Sequence, residues 1–411
     1  MLHELLVKPP ATRRPYDVFK KCLYPTKTDE IKAKGIWPYF KTIFECEGPE
    51  VNMEGRTVLM AGSNNYLGLT SHPLVKEAAI NAIHKYGTSC SGSRVLTGSL
   101  DLHEQLEAKL AHFMGKEACL LFSTGYQTSQ GVIQPLVSRG EYILSDRDNH
   151  ASIVMANAMA KGLTDAKVIR YKHNSAADVE KRLANLPDNA AKLIVTDGVF
   201  SGDGSIVNLA QLYEVANKYD VPILLDDAHA FGVIGQGGRG TASYFGLQNE
   251  MPLTFCTFSK TLASIGGFVV GSKVEINYLQ HQSPALVFSA SPSPASTASA
   301  IAALDILIAE PELVQKLQSN ATYLRSSLIS LGFAVPQGNS AIIPIVVEED
   351  MGIKIWKELY NRNIFVNVFV PPATPVGTCL LRNSVMASHE VNNLDYLIET
   401  YEYIGKQFGI I

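Results

Sequence analysis

Cys22, Cys46, Cys90, Cys119, Cys256 and Cys379 are the only cysteines in 411 residues, and no two of them form a CxxC pair. That scarcity excludes a disulfide scaffold and a zinc ribbon, leaving scattered reduced thiols and no expected metal site. Long apolar runs are also missing. No stretch reaches the roughly 18 uninterrupted apolar residues that span a bilayer, and "MLHELLVKPPATRRPYDVFKK" lacks the continuous apolar core of a secretory signal. A cytoplasmic protein without an integral membrane segment is expected; peripheral membrane contact is left open. Charge of one sign is not in excess: 35 Lys and Arg stand against 39 Asp and Glu, a net charge of −4. Such a chain has no basic field for nucleic acid, which is not expected as a partner. Nor is there a GxGxxG between a first strand and helix followed by an acid about twenty residues on, which argues against a dinucleotide oxidoreductase. Internal repeats, low-complexity tracts and flexible linkers are absent.

What is there is an alternation. The chain is 46% hydrophobic, enough for a large core and more than one domain. "SHPLVKEAAINAIHKYG" has Ser71 as expected N-cap, Pro73 in the first turn, an apolar side through Leu74, Ala78, Ala82 and Ile83, and Gly87 as its stop. "DLHEQLEAKLAHFMG" repeats the pattern and ends at Gly115. Between helical segments lie the short apolar runs "ACLLF", "EYILS", "KVIRY", "KLIVT", "VPILLD" and "LTFCT". Strand and helix in alternation, with strands apolar on both faces, predict an α/β fold with a mostly parallel sheet covered by helices on each side. After "SPSPASTASAIAALDILIAEPELVQKL", read as one long helix, the runs "IIPIVV", "FVNVFV" and "CLLRNSVMA" suggest a smaller α+β unit beginning near residue 295.

In open α/β sheets ligands gather at the carboxyl ends of strands. Five runs end on chemically useful residues: Ser123-Thr124-Gly125-Tyr126, Asp146 through His150, Asp197 through Ser201, Asp226 with His229, and Thr257-Phe258-Ser259-Lys260. Each has an ordinary explanation alone, as a turn, a helix cap or a solvated amine. Together they match the requirements of pyridoxal phosphate chemistry. Lys260 is the candidate for the imine-forming amine, its pKa depressed in a desolvated cationic site. Asp226 would keep the cofactor's ring nitrogen protonated. His229 and Ser201 would reach the ring hydroxyl, and His150 would stack on the ring. Gly125 and Tyr126, opening a helix, would hold the phosphate with Thr257 and Ser259.

The blocks "SNNYLGL", "GTSCSGSRVLTGSLDLHEQLE", "FSTGYQTSQGV", "DNHASI", "DGVFSGDGSIVNL", "DDAHAFGVIGQGGRG", "TFSKTLASIGGFVVGS" and "LLRNSVMASH" stand in the order found in the α-oxoamine synthases. The resemblance covers the chain from about residue 35 onward. "FSGDG" replaces the usual "FSMDG", and "TLAS" replaces the common "AFGS". It implies fold type I of the pyridoxal phosphate transferases, aspartate aminotransferase-like. The expected parts are an N-terminal segment 1–60, a large cofactor domain 61–294 with a seven-stranded, mostly parallel sheet, and a small α+β domain 295–411. It also implies Lys260 as the cofactor lysine, Asp226, His229 and His150 in the roles above, and Asn64 and Arg382 at the substrate carboxylate. A homodimer is implied, with Ser289 or Ser291 of "FSAS" reaching the partner's phosphate site. "VPPATP", 370–375, resembles the proline loop of the serine-using members, which implies L-serine and palmitoyl-CoA condensing to 3-ketodihydrosphingosine, CoA and CO2. Glycine-, alanine- and cysteate-using members are the alternatives. A non-catalytic scaffold subunit of the same fold is expected to lack the lysine, and Lys260 is present.

Overall fold

Helix caps and strand ends set the frame on which the candidate residues are carried. The computed structural model describes residues 18–23, 26–33, 35, 37–371 and 373–411. Residues 1–17 of the expected N-terminal segment, and Pro372 of "VPPATP", lie outside the described residues. The chain divides into residues 1–42 and 43–411. In the first unit a 3-10 turn at Val18–Leu23 precedes a helix at Lys27–Ala33, and the Lys32 ammonium sits 5.2 Å from the Trp37 ring centre.

The second unit opens with β1 (Ile43–Glu47), β2 (Glu50–Met53) and β3 (Arg56–Met60), paired antiparallel in that order. The helix Pro73–Tyr86 follows. Its N-cap is His72 rather than Ser71, because Pro73 occupies the first helical position, where a missing N–H costs nothing. Gly87 ends it as expected, its N–H returning to the Ile83 carbonyl. The helix Asp101–Met114 stops at Gly115, which takes the left-handed conformation at φ 65°.

The six expected runs form β4 (Ala118–Phe122), β5 (Tyr142–Asp146), β6 (Lys167–Tyr171), β7 (Lys192–Asp197), β8 (Ile223–Asp226) and β9 (Leu253–Thr257). A seventh strand, β10 (Gly267–Gly271), completes a sheet of order β4-β10-β9-β8-β7-β5-β6. All neighbours are parallel except β10, which is antiparallel to both β4 and β9. Only three non-glycine residues separate its terminal glycines, too short a run to announce a strand. The glycine at its start answers a packing demand: a Cβ on Gly267 would lie 2.2 Å from Thr128 Oγ1 and 2.9 Å from the Cys256 carbonyl oxygen. Alternate residues feed two apolar clusters, Ile143, Val195 and Leu224 in one, Leu144, Ile194 and Leu225 in the other. Burial on both faces is what a helix-covered parallel sheet requires.

The expected long helix is two, Pro294–Ala309 and Glu312–Leu331, with Pro311 as the N-cap of the second. Proline lacks the N–H that would continue the first helix. Beyond them β11 (Ile342–Glu348), β12 (Ile364–Phe365), β13 (Asn367–Phe369) and β14 (Thr378–Ser384) supply a three-stranded sheet, β11-β14-β13, while β12 runs parallel beside β3. Residues 43–60 therefore share a sheet with residues 364–365. The helix Val391–Phe408 closes the chain.

Because Gly267 has backbone on two sides, Gly267→Ala is expected to destabilise the fold by about 1–3 kcal/mol, the range for overpacking a filled interior. Urea unfolding followed by circular dichroism measures it as a lowered midpoint.

Candidate active site

The parallel strands end together. Asp146, Asp197, Asp226 and Thr257 are the last residues of β5, β7, β8 and β9, so the chemistry begins where the hydrogen-bonded ladder stops. At this edge a cavity of about 360 Å³ is lined by Thr124, Gly125, Tyr126, His150, Asp197, Asp226, His229, Thr257, Ser259 and Lys260, among others. Nine of the thirteen residues singled out from the sequence were expected at such a site from strand ends or helix starts alone; the cavity brings together eight of those, Ser201 being the exception.

Each has a local reason for its position. Gly125 and Tyr126 open the helix Gly125–Leu136, whose N-cap Thr124 accepts the Gln127 N–H at 3.1 Å. The first N–H groups of a helix have no partner within it, and Thr124, Gly125 and Tyr126 line the cavity. A Cβ on Gly125 would stand 2.5 Å from the Thr257 Cβ, so glycine lets the helix rest directly on the end of β9. Thr257 Oγ1 accepts the Ser259 N–H at 3.2 Å and lies 2.9 Å from the Ser259 hydroxyl. Those contacts order the turn that presents Lys260.

His150 caps the helix Ala151–Thr164: its Nδ1 accepts the Ser152 N–H at 3.2 Å, and its own N–H donates to Asp197 Oδ2 at 2.8 Å. Asn149 ties β5 to β7, donating to the Val195 carbonyl at 2.9 Å and accepting the Asp197 N–H at 2.9 Å. Asp226 is 5% exposed, and its Oδ1 accepts the Ala228 N–H at 2.9 Å.

Burial dominates the electrostatics. It lowers the Lys260 amine below its ordinary value, against the pull of Asp226. It raises the Asp226 carboxyl, against Lys260, the Ala228 N–H and His150. Asp197, beside Asp226 in the sheet, is raised well above the usual carboxylate range, first by burial and then by the Asp226 charge. His150 is lowered by burial, and His229 is lowered strongly by burial and by Lys260, Arg382 and His150. The cavity thus holds an amine inclined to be neutral beside carboxyls short of positive charge.

Arg382, on β14, is 2% exposed. It donates to Asn64 Oδ1 from both Nη atoms at 3.1 Å, to the Ser384 hydroxyl at 2.7 Å, and from Nε to the Ser201 carbonyl at 2.5 Å. Ser201 thus meets Arg382 through its backbone and is not among the cavity-lining residues. Ser289 accepts from Gln127 Nε2 at 2.8 Å, and Ser291 donates to the Gly92 carbonyl at 3.1 Å; neither lines the cavity. In the proline loop, the Thr374 hydroxyl donates to the Thr378 carbonyl at 2.6 Å.

Three residues have no role in the sequence reading. Asp197 enters it only as a strand end. Tyr66, inside "SNNYLGL", places its hydroxyl 2.6 Å from His229 Nδ1; a lone polar aromatic in a turn gave no sign of it. Asp227 explains the glycine-rich turn after β8. Its Oδ2 accepts the Thr241 N–H at 3.0 Å, and Cβ atoms on Gly198 and Gly240 would come within 2.4 and 2.1 Å of its two oxygens. "GQGGRG" folds back over a buried carboxylate, with Gly240 at φ 83°.

The chain belongs to the aminotransferase class I and II family, whose model matches residues 56–400. Within that family it stands among the α-oxoamine synthases, beside the bacterial serine palmitoyltransferases. The serine palmitoyltransferase of Sphingobacterium spiritivorum is 45% identical over 383 residues, 93% of this chain and 95% of that protein. The 8-amino-7-oxononanoate synthase of Thermoanaerobacter pseudethanolicus is 37% identical over 387 residues, 94% of this chain and 97% of that one. A solved serine palmitoyltransferase variant from S. paucimobilis, with a bound PLP–myriocin aldimine, superposes with a TM-score of 0.92 at 32% identity, covering 97% of this chain and 100% of that one.

Burial pushes the Asp227 carboxyl up to about 7 from 3.8. The folded chain then keeps a proton that the unfolded chain releases, so this group's contribution to stability is greatest below pH 3.8 and falls as pH rises through about 7. Asp227→Asn, which still accepts the Thr241 N–H, is expected to flatten that fall in urea unfolding measured across the same pH interval.

Proposed function

We propose that this protein catalyses the pyridoxal 5′-phosphate-dependent decarboxylative condensation of L-serine with palmitoyl-CoA, giving 3-ketodihydrosphingosine, CoA and CO2. The observation that carries the reading is the convergence of Lys260, Asp226, His150, His229 and a helix N-terminus on one cavity, in a chain 45% identical to a serine palmitoyltransferase. The residues fit the cofactor. Asp226 is a buried carboxylate short of a cation, which a protonated ring nitrogen supplies, and the start of the helix Gly125–Leu136 suits a phosphate dianion.

Bound there, the cofactor supplies an electron sink for the pair left at the amino acid's Cα. The chain's own groups do the rest. Lys260 Nζ, its basicity lowered by burial against the pull of Asp226, would take the Cα proton and later return one. Asp226 holds the proton on the ring nitrogen. His150 covers one side of the cavity and His229 would donate to the ring oxygen, while Ser201, outside the cavity lining, receives Arg382 through its carbonyl. Gly125, Tyr126, Thr257 and Ser259 hold the phosphate. Arg382, oriented by Asn64, grips the substrate carboxylate as a planar, permanently charged fork. The acyl chain buries its methylenes at about 0.8 kcal/mol each.

Residues 61–294, with the seven-stranded sheet, form the cofactor-holding part, and residues 295–411 the smaller part. A homodimer with sites at its interface fits the exposure of Phe288, 86% accessible beside Ser289; segment 288–291 of the second copy would complete the phosphate site. Among the described residues no helix is long and apolar enough to cross a membrane. A cytoplasmic location, with any membrane contact peripheral, belongs to the same proposal.

Lys260→Ala is expected to lose turnover and the visible absorbance of bound cofactor. Borohydride reduction of the wild-type holoenzyme, followed by peptide mass spectrometry, should place the pyridoxyl adduct on Lys260; an adduct elsewhere would refute the assignment. Titrating the holoenzyme with amino acids should give saturable spectral change with L-serine, followed by turnover with palmitoyl-CoA. Saturation by glycine or alanine but not serine would overturn the substrate while leaving the family in place.

A further inference from the structure

Tyr66 has no role in the assignments above, yet it is fully buried between two groups that do. It stands in the turn after β3, held by its carbonyl, which accepts the Ala387 N–H at 2.7 Å. Its hydroxyl lies 2.6 Å from His229 Nδ1 and 3.4 Å from Asn64 Oδ1. Asn64 Oδ1 in turn accepts from both Nη atoms of Arg382 at 3.1 Å.

Counting protons on this cluster leaves one arrangement. A guanidinium only donates, so Arg382 gives its N–H groups to Asn64. Asn64 Oδ1 already accepts two N–H groups from Arg382 at 3.1 Å, filling both lone pairs of a side-chain carbonyl. The Tyr66 proton therefore goes to His229 Nδ1, the nearer acceptor. A neutral imidazole that accepts at Nδ1 carries its own proton at Nε2. The other groups acting on His229 are Lys260, Arg382 and His150. All are cations when charged, so they oppose a second ring proton.

We propose that Tyr66 is a positioning residue that fixes His229 as the Nε2–H tautomer, a standing donor into the cavity, and links that donor to the Arg382–Asn64 site. The proposal rests on the reading of Arg382 and Asn64 as the carboxylate site and of His229 as the contact of the cofactor's ring oxygen. A carboxylate arriving at Arg382 draws the guanidinium N–H groups toward itself. Asn64 Oδ1, 3.4 Å from the Tyr66 hydroxyl, then regains a lone pair that competes for the Tyr66 proton, and as donation to His229 Nδ1 weakens, donation from His229 Nε2–H weakens with it, since hydrogen bonds in a chain polarise one another. Occupancy of the substrate site is thereby reported to the cofactor through Asn64, Tyr66 and His229.

Ring-nitrogen NMR of holoenzyme labelled with ¹⁵N-histidine tests this, with His229 assigned from the signals missing in His229→Gln. Wild-type His229 should show a bare Nδ1 and a protonated Nε2. Tyr66→Phe should show both tautomers, and the pH midpoint of its visible absorbance should rise by about one pH unit as the ring oxygen loses a constant donor. A wild-type proton on Nδ1 overturns the proposal, as does a folded Tyr66→Phe enzyme with unchanged tautomer and midpoint. Should that variant fail to fold, wild-type enzyme decides. Addition of L-serine should shift both His229 nitrogen signals; serine that changes the absorbance while leaving those signals in place refutes the relay. Serine that leaves the absorbance unchanged refutes instead the substrate reading, and the tautomer result is unaffected by it.

Discussion

A half-buried amine and a buried carboxylate face one cavity, and neither is fully compensated by the protein around it. Removing a charge from water costs several kcal/mol unless a partner offsets it, and here the offset is partial on both sides: Lys260 is pushed toward neutrality and Asp226 toward protonation. A fold can carry such groups only if the rest of the site is rigid enough to keep water out and the partners in place. That requirement accounts for the surrounding structure. Asn149 clamps β5 to β7, Asp197 receives the backbone of His150, and Gly125 lets a helix start rest on Thr257.

The same logic extends to the turn after β8. Asp227 sits beside Asp226 and is wholly buried, and one of its oxygens, Oδ2, is met by the Thr241 N–H. The glycines at 198 and 240 allow the chain to pack directly against the two oxygens. The acidic pair and the glycine-rich stretch form one construction: the second aspartate anchors the turn that holds the first at the strand end.

Much of this could be read from the sequence because the informative signals were local. Apolar runs of strand length located six strands of the large sheet, and the residues that follow them fell at the cavity, since strands in a parallel sheet end at a common edge. Signals failed where the deciding contact was distant. Asn64 and Arg382 are 318 residues apart and share a hydrogen bond; resemblance to a family placed them together, and no periodicity could have. Tyr66 and His229 are separated by 163 residues. β10 was missed because its glycines serve packing against Thr128 and Cys256 rather than strand propensity. β12, two residues long, is defined only by its neighbour β3, and Pro311 divides a helix whose apolar pattern runs straight through it.

Arg382 lies in the middle of β14, its register fixed on both sides by pairing with Pro344 and Asn367, while the loop leading into that strand projects Val376 at 93% exposure. If Arg382 grips the substrate carboxylate as proposed, that grip is built into the sheet, while the neighbouring loop stands outside it. Such a division lets selection retune which side chain is accepted through insertions and exchanges at the loop, without disturbing recognition of the shared headgroup, and it makes the loop the natural place to begin redesigning this scaffold for new amino acids.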